Sequence, residues 1–187
     1  EAGVPAESAY EVTRVEDEDW VRRTQAQFVP QQITPGLWIV SSWHEPPDPQ
    51  AINIVLDPGL AFGTGTHPTT RLCLRWLARE VKSGLSVLDI GCGSGILAIA
   101  AMKLGALRVC GTDIDPQAVQ AATQNAARNG VNAKFVAAAE HVQERGDIIV
   151  ANILAQPLLV LAPLIANLNV SGGRLALSGI LEAQADE

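Results

Sequence analysis

What constrains this chain most is a repeated alternation of short apolar runs with helix-period segments, from Val87 to Leu177. Strands are expected at Val87–Ile90, Val109–Asp113, Lys134–Val136, Ile148–Ala151 and Arg174–Leu177. Helices are expected at Ile96–Leu104, Pro116–Asn129 and Pro157–Leu168, with a short helical segment after Val136. The strand runs are rich in Val, Ile and Leu, as strands covered on both faces must be. Strand–helix–strand units cross over right-handed, so the strands become parallel and the helices cover both faces. The expected fold is therefore α/β, with a parallel sheet of spatial order 3-2-1-4-5 counted from Val87–Ile90. Arg174–Leu177 is then an unprotected edge.

Ahead of this array the character of the chain changes near residue 50. Residues 1–50 are polar and irregular, with an acidic patch at Glu16–Asp19 and a proline-rich turn at Pro46–Pro49. Asp17 can cap a short helix running through Trp20 and Gln27, and Leu37–Ser41 can form a strand. We read 1–50 as the remnant of an N-terminal region with its linker, and 51–187 as one domain. That domain opens with a strand at Ile52–Leu56, a loop rich in glycine and threonine at Asp57–Thr66, and a helix from Pro68 to Val81. The chain starts with Glu1 rather than methionine, so it is expected to begin inside a longer protein.

A hydrophobic fraction of 48% against 18% charged places the chain among globular proteins. No apolar run approaches the roughly 18–20 residues that span a bilayer, and the richest, Pro157–Leu168, is short and contains Pro163. The N-terminus carries no secretory or transit signal, so a cytoplasmic protein with no membrane contact is expected. Cys73, Cys92 and Cys110 are widely separated in apolar segments, and neither they nor the three histidines have metal-ligand spacing. They read as reduced core cysteines, and no metal is expected. A net charge of −7 lacks the basic footprint of nucleic-acid binding and suits a basic protein partner instead.

The first candidate for chemistry is Asp89-Ile90-Gly91-Cys92-Gly93-Ser94-Gly95, between a strand and a helix. Glycines there let the backbone turn tightly and approach a ligand. Dinucleotide enzymes use G-x-G-x-x-G with the helix N-terminus facing a pyrophosphate. Here the third glycine comes one residue early and Ile96 stands where that motif has glycine. Asp89 suits a ligand with a positive charge rather than phosphates. This D-x-G-x-G-x-G pattern resembles the first motif of class I methyltransferases, whose fold is Rossmann-like.

An acidic residue about 20 positions beyond such a loop commonly accepts from ribose hydroxyls. Asp115 directly precedes Pro116 and has a natural task as helix N-cap. Asp113, at the strand's carboxyl end, is assigned the ribose, with Asp115 as its competitor. Asn152, at the end of the next strand but one, offers a donor and acceptors to orient an amine or the cofactor's polar groups. Its alternative task is capping the helix ahead of Pro157. Many amine methyltransferases follow this residue with Pro-Pro and an aromatic. Ile153-Leu154-Ala155 stands here instead, without a stacking platform for a planar amide or base.

The segment from Ile52 to Glu187 resembles the ribosomal-protein methyltransferases that modify the large-subunit stalk-base protein, number eleven in that subunit's series. The run Leu56-Asp57-Pro58-Gly59-Leu60-Ala61-Phe62-Gly63-Thr64-Gly65-Thr66-His67-Pro68-Thr69-Thr70 carries the resemblance, with Gly91–Ala100, Asp113–Pro116 and Ala151–Ala155. It implies S-adenosylmethionine as cofactor, with contacts at Thr70, Gly91, Asp113 and Asn152, to which the motif adds Asp89 and Gly93. Phe62, Gly63, Thr64, Gly65 and Thr66 would form the loop that closes over the cofactor. Trp20–Trp43 resembles the family's linker. The family's N-terminal recognition domain is largely absent from the chain. So is the strand pair after the fifth strand, which makes 51–187 a C-terminally truncated catalytic domain.

The implied reaction is methyl transfer to lysine side-chain or N-terminal amines of that basic ribosomal protein. It needs positioning more than acid–base machinery. A lysine amine of pKa about 10.4 must lose its proton before attack. His67 could take it, but it also opens a helix ahead of Pro68, and no catalytic base is assigned. The rival readings are a methyltransferase of a small molecule, a glutamine amide or RNA, and a non-catalytic cofactor-binding module on the ribosome.

Overall fold

The computed structural model describes residues 28–57, 65, 67–138 and 142–184. A small sheet comes first, β1 (Gln31–Thr34), β2 (Leu37–Val40) and β3 (Ile52–Val55) in that order, with β1 antiparallel and β3 parallel to β2. α1 (Pro68–Glu80) leads into β4 (Ser86–Ile90), α2 (Ile96–Lys103), β5 (Arg108–Asp113), α3 (Pro116–Arg128) and β6 (Lys134–Ala137). β7 (Gly146–Asn152), α4 (Ala155–Leu168), β8 (Asn169–Ser178) and a 3-10 turn at Glu182–Gln184 complete the order. The larger sheet runs β6-β5-β4-β7-β8 with every neighbouring pair parallel, which is the expected order 3-2-1-4-5.

Burial explains why β4 is central. All five of its residues are buried; Val87 packs with α1 and α2, and Leu88 and Ile90 turn to the other face to meet Leu158, Ile165 and Leu168 of α4. A strand covered twice cannot alternate with polar residues, hence its apolar run. α2 shows the same logic in a helix. Ile96–Ala101 are buried in an unbroken row, with no polar residue before Lys103, because the helix is enclosed by the sheet and α1.

Most element ends fall within two residues of expectation, and three departures have a readable cause. α4 starts at Ala155 rather than Pro157, since a first-turn proline gives up an N–H that has no helical partner anyway. β8 starts at Asn169 rather than Arg174: its register jumps from Gly146↔Asn169 to Ile148↔Arg174, and Val170–Gly173 bulge out between the two pairs. β1 has no alternating pattern to announce it. It is held from outside, where Arg75 Nε donates to the Ile33 carbonyl at 3.1 Å and Arg71 reaches the Gln32 carbonyl at 3.5 Å. Residues 31–40, read as linker, thus place Ile33, Leu37 and Ile39 in the same core as Leu74 and Leu77. The helix expected through Trp20 and Gln27 lies outside the described residues, as do residues 139–141 of the segment after Val136.

Among the described residues β8 pairs only with β7, and its Leu175 and Leu177 are exposed. Among the described residues no helix is long and apolar enough to cross a membrane.

Candidate cofactor site

The chain runs from β4 outward to β5 and β6 on one side and to β7 and β8 on the other, so the strand order reverses around β4. Ligands of open α/β sheets bind outside the strand carboxyl ends at such a point. The glycine loop lies there, flanked by Asp113 at the end of β5 and Asn152 at the end of β7.

The loop's N–H groups mostly point inward. Gly91 and Cys92 both donate to the Thr112 carbonyl, at 2.8 and 2.9 Å, Gly93 donates to Asp113 Oδ2 at 2.9 Å, and Gly95 closes a turn onto the Cys92 carbonyl at 2.8 Å. A phosphate cradle needs such groups free. This loop is shaped for a ligand that does not ask for them. Gly91 has φ +75°, and a Cβ there would strike Ile153, so the close approach it permits is to the protein's own β7–α4 connection.

Asp89 lies beneath the loop. It is fully buried on β4, and its Oδ2 accepts from the Ala98 N–H at 3.0 Å, in the first turn of α2. The N-cap Gly95 has no side chain to offer, so a strand carboxylate does the capping. Burial pushes the Asp89 carboxyl up to about 7, with the Ala98 N–H pulling down and neighbouring Asp113 adding upward. In this arrangement its contact is with α2 rather than with the crevice.

Asp113 is half-buried, with Oδ1 accepting from the Asp115 N–H at 3.0 Å and Oδ2 from Gly93. Asp115 has the task its sequence suggested: it is the N-cap of α3, accepting from the Gln117 N–H at 2.9 Å. Asn152 is not a cap, because the N-cap of α4 is Leu154, without a side-chain bond. Its Nδ2 instead donates to Thr70 Oγ1 at 3.3 Å, joining two candidates from distant parts of the sequence. Thr70 is buried in the first turn of α1. His67 is the N-cap of that helix, its Nδ1 accepting from the Thr69 N–H at 3.3 Å. Gly65 is buried against Ile39 and Ile96, whereas Phe62, Gly63, Thr64 and Thr66 lie outside the described residues.

Sequence reasoning passed over Ile114, an apolar side chain 89% exposed beside Asp113 at the end of β5. The signal was available, as an apolar residue directly after a strand-ending acid. Cys73, Cys92 and Cys110 are all buried and free, and burial raises all three thiols, Cys73 to about 11, so none is poised as a nucleophile.

Residues 3–187 match the family model described as ribosomal protein L11 methyltransferase (PrmA). The chain belongs to this family. It is 60% identical over 96% of its length to the ribosomal protein L11 methyltransferase of Dechloromonas aromatica, and 58% identical over its whole length to that of Thiobacillus denitrificans. It spans 60% and 63% of the lengths of those two relatives. The fold of the family is also met in the crystal structure of a ribosomal protein L11 methylase from Lactobacillus delbrueckii subsp. bulgaricus. That structure has a TM-score of 0.77 at 40% identity, covering 84% of this chain and 83% of the other. A family member is S-adenosylmethionine-dependent, which agrees with a glycine loop that holds its N–H groups back from anions.

Proposed function

We propose that this chain is the S-adenosylmethionine-binding core of a cytoplasmic enzyme that methylates amino groups of ribosomal protein L11, either lysine side chains or the N-terminal amine. The observation that carries the reading is the meeting of Asp113, Gly93, Thr70 and Asn152 around the carboxyl ends of β4, β5 and β7, in a chain whose family is defined by this activity. The division into an N-terminal region up to residue 50 and a catalytic domain from residue 51 is part of the same proposal.

When bound, the cofactor would supply a methyl group made electrophilic by its cationic sulfonium, for transfer to a neutral amine. The protein's share is placement. Asp113 keeps its carboxylate at the strand end, oriented by two backbone N–H groups, where it can accept from ribose hydroxyls. Thr70 fixes the Asn152 amide, whose remaining acceptor can orient an incoming amine. His67 spends a ring nitrogen on the helix end, and no catalytic base is assigned.

Asp113→Ala is expected to weaken cofactor binding by about 1.5–3 kcal/mol, the scale of hydrogen bonds to a charged group. Asp115→Ala is expected to cost about 1 kcal/mol of stability with affinity nearly unchanged, since it removes a cap. Calorimetry and urea unfolding on both variants check this, and the reversed pattern would move the ribose contact to Asp115. For the substrate, mass spectrometry of ribosomal proteins from cells with and without the gene is expected to show L11 lighter by whole methyl increments in the deletion. An in vitro rate that climbs with pH toward the amine pKa is expected alongside, because only the neutral amine attacks. Unchanged L11 mass, with methyl groups found on RNA or a metabolite, would refute the substrate.

A further inference from the structure

We propose that Asn125, in the third turn of α3, is a positioning residue for this site: its amide holds the Ser94 carbonyl and so sets the pose of the glycine loop that Asp113 grips from the other side. The inference rests on the cofactor reading above and adds a residue that no motif marks. Asn125 Nδ2 donates to the Ser94 carbonyl at 2.9 Å. The N–H of that same peptide unit, on Gly95, goes to the Cys92 carbonyl, and the neighbouring Gly93 N–H goes to the Asp113 carboxylate. Asn125, Ser94, Gly93 and Asp113 thus form one continuous relay of hydrogen bonds and backbone. The relay ends on the carboxylate assigned to the ribose.

A brace works only if its far end is fixed, and α3 is fixed at both ends. Asp115 caps its start. At its finish the Asn129 amide pairs with both backbone groups of Val55, accepting from the N–H at 2.8 Å and donating to the carbonyl at 2.7 Å. Next to it, Arg128 pairs with Asp57 at 2.7 Å, and Asp57 also accepts from the Ser42 backbone at 2.7 Å and hydroxyl at 2.9 Å. Ala122, Asn125 and Asn129 follow the spacing of one helix face. Ala122 lies so near Gly95 that the loop cannot shift toward α3. Asn125 prevents the opposite shift. Asparagine is a poor helix former, and Asn125, the one asparagine within a helix otherwise dominated by alanine and glutamine, is explained by what it holds.

The test uses Asn125→Leu, which keeps the volume and loses the donor, and Asn125→Asp, which turns an acceptor toward the Ser94 carbonyl. Both are made in the full-length protein, with exposed Gln124→Ala as control. Titration with S-adenosylhomocysteine is expected to give a Kd about five- to tenfold higher for Asn125→Leu and higher still for Asn125→Asp. The expected kcat at saturating cofactor is unchanged. In the ligand-free protein, amide exchange at Gly93 and Gly95 is expected to quicken while that of Val87 in β4 does not. Wild-type affinity in both variants would overturn the proposal, and so would equal quickening at Gly93 and Val87, which is general loosening. If the wild-type protein fails to bind the probe while Gly93 exchange still responds, the brace stands and the cofactor reading falls.

Discussion

Gly95→Ala is expected to cost about 2–5 kcal/mol of stability, enough to threaten a domain of ordinary margin. Two independent penalties meet at this position. Gly95 has φ +79°, a left-handed conformation that costs a residue with a Cβ about 1–2 kcal/mol. A Cβ there would also lie 2.9 Å from Ala122 Cβ, 3.1 Å from Ala122 Cα and 3.1 Å from Phe135 Cζ. The Ala122 backbone belongs to a helix pinned at both ends and cannot retreat, so overpacking adds about 1–3 kcal/mol. Gly130→Ala is the matched control. Gly130 also has positive φ, at +65°, but nothing lies within 4 Å of its Cβ position, so it should show only the first penalty. Urea unfolding of the two variants reads the difference directly. Equal losses would mean that the contact between the glycine loop and α3 is looser than the structure shows.

The second large effect concerns pH. Asp89 titrates near 7 when folded, raised by burial, and near its ordinary value of 3.8 when unfolded. Between those limits the unfolded chain gives up the proton while the folded one keeps it, so this group's contribution is present below about pH 4 and is lost as pH rises through 7. Over the full window the loss is on the order of 4 kcal/mol, and between pH 5 and 8 about 2–3 kcal/mol. Glu80 and Asp147 have depressed carboxyls, held down first by the hydrogen bond from Arg79 and by that from the Ser86 hydroxyl respectively, and so work in the opposite sense at lower pH. The clean measurement is therefore the difference between wild type and Asp89→Asn. The amide is isosteric with the protonated acid and still accepts from Ala98. The variant is expected to be ahead of wild type by about 1–2 kcal/mol at pH 5 and by about 4 kcal/mol at pH 8, a gap that widens by about 2–3 kcal/mol across that window and closes below about pH 4. A variant weaker than wild type at pH 8 would show that the buried carboxylate is ionised and welcome there.

The sheet was legible because parallel strands covered on both faces are rich in apolar residues, as Val87–Leu88 of β4, Val109–Cys110 of β5 and Ile148–Ala151 of β7 are. β1 was not, because what holds Gln31–Thr34 is a pair of arginines on a helix some 40 positions away, and nothing local records them. In the site, Pro116 gave away the task of Asp115, since a proline at the first helical position names the residue before it as a cap. The burial of Asp89 was hidden. Its place on the strand could be read, but not that the N-terminus of α2 would roof it. Asn125 was hidden for the same reason: its partner lies 31 residues away, and the contact exists only once α3 has crossed the loop.

The inward-facing N–H groups of the glycine loop also bear on which cellular molecules the site refuses. Many abundant metabolites carry the adenosine that a methyl donor carries, and nearly all of them carry it with a chain of phosphates. Such a competitor would bring its negative charges to a loop whose Gly91, Cys92, Gly93 and Gly95 N–H groups are already engaged, beside the Asp113 carboxylate. It would gain no hydrogen bonds from these groups to repay the water its phosphates surrender, and it would meet repulsion from the Asp113 carboxylate. If the site takes a sulfonium nucleoside as proposed, it would be told from nucleotides by withholding contacts as much as by offering them.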